Sequence, residues 1–124
     1  MTKRLAEYAG LDYPTRYVEL FGRVNLCHGE RFSLVEARKR AEQLCDEFSR
    51  NEELVGVVLL GRAVERAFGV ECRKWFEWYP PTLLLPARSA SSPHPSIRNR
   101  WWDVEENREA ARDFWRATAA MAWR

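Results

Sequence analysis

No run of apolar residues in this 124-residue chain approaches the roughly 20 needed to cross a bilayer as a helix, so a transmembrane segment is excluded. Cysteine is scarce: Cys27, Cys45 and Cys72 are odd in number and widely spaced, which excludes a disulfide framework and any CxxC metal or redox motif. Such thiol usage implies a reducing compartment, and the cytoplasm is the expected location. The opening MTKRLAEYAG lacks an apolar core of the kind a secretory signal carries, so none is expected. There is no internal repeat. A large net charge of either sign is also missing: the formal value of +2 is too small to identify a partner. One local absence says more, because no acidic residue occurs between Glu77 and Asp103.

What is present is a single domain's worth of chain, rich in tryptophan, with helical and strand patterns in alternation. Residues 15–21 read as a helix and RVNLC, 23–27, as a short strand. In SLVEARKRAEQLCDEFSR, Ser33 and Glu36 have capping-box spacing, and Leu34, Ala37, Ala41, Leu44, Cys45 and Phe48 share one face of a helix. LVGVVLLG, 54–61, is continuously apolar, as a covered strand should be, and Gly61 ends it. RAVERAF followed by Gly69 predicts a short helix with a glycine after its last turn. KWFEWY alternates like a strand, TLLLP after Pro80-Pro81 reads as a third apolar strand, and residues 87–102 as a long loop. A last helix carries Ala111, Phe114, Trp115, Thr118 and Ala122 as one stripe. The expectation is an α/β fold, three-layer αβα, around a short and mainly parallel sheet.

Ligands of such sheets bind beyond the carboxyl ends of the strands, which points to the loops 25–32, 61–62 and 87–102. The last of these holds Arg88, His94, Arg98 and Arg100 with no acid among them. Nothing in it repels an incoming phosphate.

VVLLGRAVERAFG, then a further strand and PHPSIRNRWWD, resembles the uracil-DNA glycosylase superfamily, in which the last parallel strand leads into a His-Pro-Ser loop. FGRVNL is similar to an earlier strand of that superfamily, one ending in the asparagine that reads the base. The likeness runs from about Leu5 to the C-terminus and keeps the order of the parts. It implies DNA as partner, extrusion of a uracil or related pyrimidine, and hydrolysis of its bond to the sugar. It assigns base recognition to Asn25, whose amide offers both a donor and an acceptor. It assigns His94 the catalytic place beside the leaving base, as an electrostatic stabiliser. Pro95 and Ser96 would hold a phosphate, Ile97 would fill the gap left by the flipped nucleotide, and Arg98 and Arg100 would add phosphate contacts.

Each assignment has a plainer rival. Asn25 ends a strand by bonding its own loop, His94 is a solvated loop residue, Ile97 is a core contact. Trp101 and Trp102 are better taken as packing residues that anchor the loop to the last helix than as base-stacking platforms. The largest departure from the superfamily is a strand and loop that would precede Leu5 and carry the water-activating residue and a base-stacking aromatic. Its absence leaves a gap between the strands at 23–27 and 55–60, to be closed by another chain or a second copy, by direct pairing, or by residues of a longer protein. Asp12 and Glu30 are the carboxylates that remain as replacement water activators.

Some members of the resembled superfamily hold an iron–sulfur cluster through four cysteines that include a close pair; Cys27, Cys45 and Cys72 offer no such pair, and no cofactor is expected. No metal site is expected either, since Cys27-His28 has no further ligands at suitable spacing. Two functional classes follow: a DNA glycosylase that needs the missing motif supplied, and a glycosylase-derived module that binds DNA, a nucleotide or a protein without the reaction.

Overall fold

The computed structural model describes residues 2–10, 24–27, 31–71, 73–96 and 98–122. Along the chain lie helix α1 (Thr2–Ala9), helix α2 (Leu34–Arg50), strand β1 (Val57–Leu60), helix α3 (Arg62–Ala67), strand β2 (Ser89–Ser92), a 3₁₀ turn (Arg100–Asp103) and helix α4 (Glu105–Ala122). The described residues therefore form a mixed helix and strand fold with four helices and a small parallel sheet. The chain divides into two compact units, one of Met1–Arg23 with Pro93–Arg124 and one of Val24–Ser92.

In the second unit α2 begins as its sequence requires. Ser33, in extended conformation, accepts a hydrogen bond on Oγ from Glu36 N at 3.3 Å, satisfying one of the free amides of the first turn. Ala37, Ala41 and Leu44 of the predicted face are buried, and Leu34, Cys45 and Phe48 pack at its margin. They meet Leu26, Leu59, Ala67, Phe68 and Leu85 in one core. Burial of a side chain such as Leu59 is worth about 1.5–3 kcal/mol. After β1, Gly61 turns the chain with φ near 100°, a conformation that excludes a β-carbon without strain. α3 follows at once, and Gly69, φ 76°, closes it while Val70 N donates to Glu65 O at 3.0 Å.

The sheet corrects several sequence expectations. Its second strand is Ser89–Ser92, which was expected to be loop, and not TLLLP. Pro80, Pro81 and Pro86 hem in the leucines, and Thr82 folds the segment on itself: Leu85 N donates to Thr82 Oγ1 at 3.1 Å and Thr82 N donates to Leu85 O at 2.9 Å. Leu83 is consequently 103% exposed and Leu84 63%, leaving Leu85 as the one buried leucine of the three. The serine strand pairs in parallel with β1 from Val57 opposite Ser89 to Leu60 opposite Ser92, and all four of its residues are buried. Small side chains suit a strand covered this closely.

KWFEWY is no regular strand. It touches β2 at two separate bridges, parallel at Trp75–Ser91 and antiparallel at Tyr79–Ser89, with Phe76 in the left-handed region between them. A positive φ at an aromatic residue is strained, and the bond from Phe76 N to Ser91 O, 2.8 Å, holds it there. Residues 24–27 are irregular, too: Leu26 alone is buried, Val24 and Asn25 face solvent, and no neighbouring strand takes up their backbone groups among the described residues. Among the described residues, 24–27 do not pair directly with 55–60. The helix expected at 15–21 lies outside the described residues.

In the first unit α1 packs against α4. Ala111, Phe114, Trp115 and Thr118 are buried as the stripe predicts, with Leu5 and Ala6 fully buried on α1.

Candidate nucleic-acid interface

β2 is followed in the chain by Pro93-His94-Pro95-Ser96, and the first unit shapes this segment into a fixed loop. Both prolines are fully buried, which places two residues of fixed φ inside the protein and leaves His94 between them at the surface. The carbonyl of His94 accepts from Asn99 Nδ2 at 3.0 Å and from Trp102 Nε1 at 2.8 Å, so both of its lone pairs are used. Ser96 closes the tip. Its carbonyl accepts from Asn99 N at 3.0 Å and its Oγ from Arg98 N at 3.2 Å. The hydroxyl hydrogen of Ser96 thereby remains available to an acceptor.

Asn99 is the residue that sequence reasoning missed. Besides its bond to His94, its Oδ1 accepts from Trp101 N at 3.1 Å and so caps the 3₁₀ turn. The signal was readable: an asparagine two residues before an amide in a turn of aromatic residues is an Asx turn.

The tryptophans tie the loop to α4, as expected of packing residues. Trp101 O accepts from Asn107 Nδ2 at 2.9 Å and Trp102 O from Arg108 Nη1 at 2.7 Å. Trp102 is buried, stacks on Tyr8 with ring centroids 5.3 Å apart, and meets Trp101 edge-on at 4.8 Å. Arg108 and Arg112 are held in turn by Glu105, whose carboxylate they keep below its usual range of proton affinity by hydrogen bonding.

Arg98 and Arg100 project from this framework, exposed, and enter no ion pair among the described residues. Desolvation of the His94 ring lowers its pKa from the ordinary value even though much of the residue is open to solvent. The shift favours the neutral imidazole, which can donate one hydrogen bond and accept another.

The structure thus brings His94, Pro95, Ser96, Arg98 and Arg100 into one loop. Ile97 lies outside the described residues, as do Asp12, Glu30, His28 and Cys72. Asn25 and Arg88 belong to the other unit, where Asn25 is exposed with no hydrogen bond among the described residues and Arg88 lies over the Trp78 ring at 4.8 Å. Among the described residues no group of His, Cys, Asp and Glu could hold a metal ion. Burial and the nearby Glu42 push the Cys45 thiol up, away from reactivity, while its Sγ donates to Leu84 O. No helix of the described residues is long and apolar enough to cross a membrane.

Comparison with protein-family models, with curated proteins and with solved structures finds no match to this chain.

Proposed function

We propose that the loop 93–103 grips nucleic-acid phosphate, and that the chain is a DNA-binding protein of the uracil-DNA glycosylase kind. The observation that carries this reading is the construction of the loop. Its backbone is locked by Asn99 and Trp102, while the hydroxyl of Ser96 and the guanidinium groups of Arg98 and Arg100 are left to a ligand. A backbone fixed beforehand loses little freedom on binding, and an acid-free tip adds no repulsion.

In this reading His94, able to donate a hydrogen bond, stabilises negative charge on a leaving pyrimidine. The finer fold belongs to the same reading: a three-layer αβα arrangement that lacks the superfamily's first strand, with a second copy or another chain completing the sheet. Hydrolysis of the glycosidic bond requires a water-activating group that the loop does not contain. A module that binds DNA and leaves the bond intact is the second form of the proposal.

The test is a gel assay with labelled single- and double-stranded DNA containing one uracil, scored for retardation and for alkali-sensitive cleavage, beside the molar mass in solution. Retardation with little or no cleavage is expected of the 124-residue chain, because positioned acid–base groups typically contribute about 10²–10⁴-fold to rate. Absence of retardation at low salt overturns the reading. Strong cleavage by a monomer would show that the water activator is present, with Asp12 and Glu30 first to replace.

A further inference from the structure

The second unit contains a polar site that the DNA reading leaves unused. Arg73 is buried to 8% exposure beside the first residue of β2. Its Nη2 donates to Ser89 O at 2.9 Å and its guanidinium lies 4.0 Å from the centre of the Tyr79 ring. Its other terminal nitrogen, Nη1, is sealed from solvent and has no hydrogen-bond partner. A buried guanidinium N–H without an acceptor is costly, and such a vacancy marks a place where an acceptor from outside would be favoured.

Arg73 also lines a cavity of about 270 Å³, together with Val70, Tyr79, Pro80, Thr82 and Leu85. Three of these walls are apolar. Thr82 Oγ1 accepts from Leu85 N and therefore has its hydroxyl hydrogen to give. The fully buried Glu65 is matched by Arg62 at 2.6 Å, which leaves Arg73 as the cation of the cavity wall itself. Glu71 at the cavity wall disfavours a ligand of high negative charge.

We propose that this cavity binds a small monocarboxylate with a short aliphatic body, its carboxylate on Arg73 and Thr82 and its chain against Val70, Pro80 and Leu85. One available guanidinium nitrogen and one hydroxyl suit the two oxygens of a carboxylate, and the apolar walls suit the remainder of such a molecule better than they suit phosphate. In this proposal the guanidinium slides across the Tyr79 face to present Nη1 to the cavity, loosening its Nη2 bond to Ser89 O. The cation–π contact permits that motion because its attraction is not tied to one pair of atoms.

The experiment uses the whole chain, with butyrate, acetate and inorganic phosphate as probes, each against sodium chloride of equal ionic strength, read by calorimetric titration and by thermal melting. Butyrate should bind saturably with a dissociation constant on the order of 1 mM, the range open to so few atoms, and more tightly than acetate. Thr82→Val, at an exposed position, should weaken butyrate binding roughly tenfold, the loss typical of a hydrogen bond to a charged group, and Arg73→Met should abolish it. If Arg73→Met does not fold, Thr82→Val decides alone. A butyrate effect no larger than that of chloride, phosphate binding tighter than butyrate, or affinity untouched by Thr82→Val would each overturn the assignment. DNA retardation is scored on the same variants and should be unchanged, so that failure here and failure of the DNA reading are told apart.

Discussion

Ser91 Oγ donates to Glu65 Oε2 at 2.9 Å, a bond between a fully buried serine of β2 and a fully buried carboxylate of α3. The other carboxylate oxygen accepts from Arg62 Nη1 at 2.6 Å, and the same nitrogen donates to Arg73 O at 2.7 Å. Arg62 lies 3.7 Å above the Trp75 ring, so the carboxylate is the centre of a network joining α3, β2 and the residues 73–75 that lie between them in the chain. A charge taken out of water is tolerable only when bonded in this way.

Ser91→Ala leaves Glu65 Oε2 without its donor in a site that water does not reach, and should cost about 1–3 kcal/mol in urea unfolding. Glu65→Ala removes the acceptor of two donors and opens a void, and should cost more, about 2–4 kcal/mol, the half-exposed Arg62 being free to turn to solvent. Unfolding midpoints equal to that of the parent protein would show that α3 is not held to the sheet through this carboxylate.

Asn99→Ala removes the cap of the 3₁₀ turn and one of the two bonds to the His94 carbonyl without changing the charge of the loop. A loss of about 1–2 kcal/mol in stability is expected from the cap alone. DNA affinity should fall with it, because the loop would have to be ordered on binding, while the dependence of affinity on salt stays as it was. Amide exchange at Trp101 and Trp102 reads the loosening directly.

The sequence made α2, α3, α4 and the first strand legible, since these rest on local periodicity, caps and glycines; α1 was not foreseen. Ser89–Ser92 was hidden for a physical reason. Its fitness as a strand comes from small side chains that let Glu65 and the segment 75–79 close over it, and none of those partners is near in sequence. TLLLP misled in the opposite sense: its composition favours a strand, and Thr82 with three flanking prolines makes a turn. In the candidate site, proline, histidine and arginine stood out by composition, whereas Asn99 acts by geometry and is visible only once the loop is closed.

The lowered pKa of His94 gives stability a defined pH dependence. Because the folded state holds this proton less firmly than the unfolded one, the contribution is complete above the unfolded value of about 6.5 and is lost as pH falls below it toward the folded value. His94→Asn should flatten the stability curve in that interval relative to the parent. A ring titration followed by NMR should show a midpoint below that of the same histidine in urea, and a rise on adding DNA, since a phosphate nearby favours the imidazolium. A midpoint above the urea value would contradict the desolvated setting of the ring.

Arg98 and Arg100 are tested by salt. Each phosphate neutralised releases counterions, so the logarithm of the binding constant falls with the logarithm of salt by about 0.9 for each contact to a duplex and about 0.7 for each contact to a single strand. Arg98→Ala and Arg100→Ala should each lower that slope by about one contact and weaken binding to the same degree whatever the base sequence, and the double variant should lower it by about two. Their stability should be unchanged, for both side chains are exposed and enter no ion pair among the described residues. The contrast with Asn99→Ala is the discriminating point: that substitution weakens binding at constant slope, while the arginine substitutions change the slope at constant stability. A slope that is the same in the parent and the double variant would mean that the loop does not meet phosphate, however firmly Asn99 and Trp102 hold it in shape.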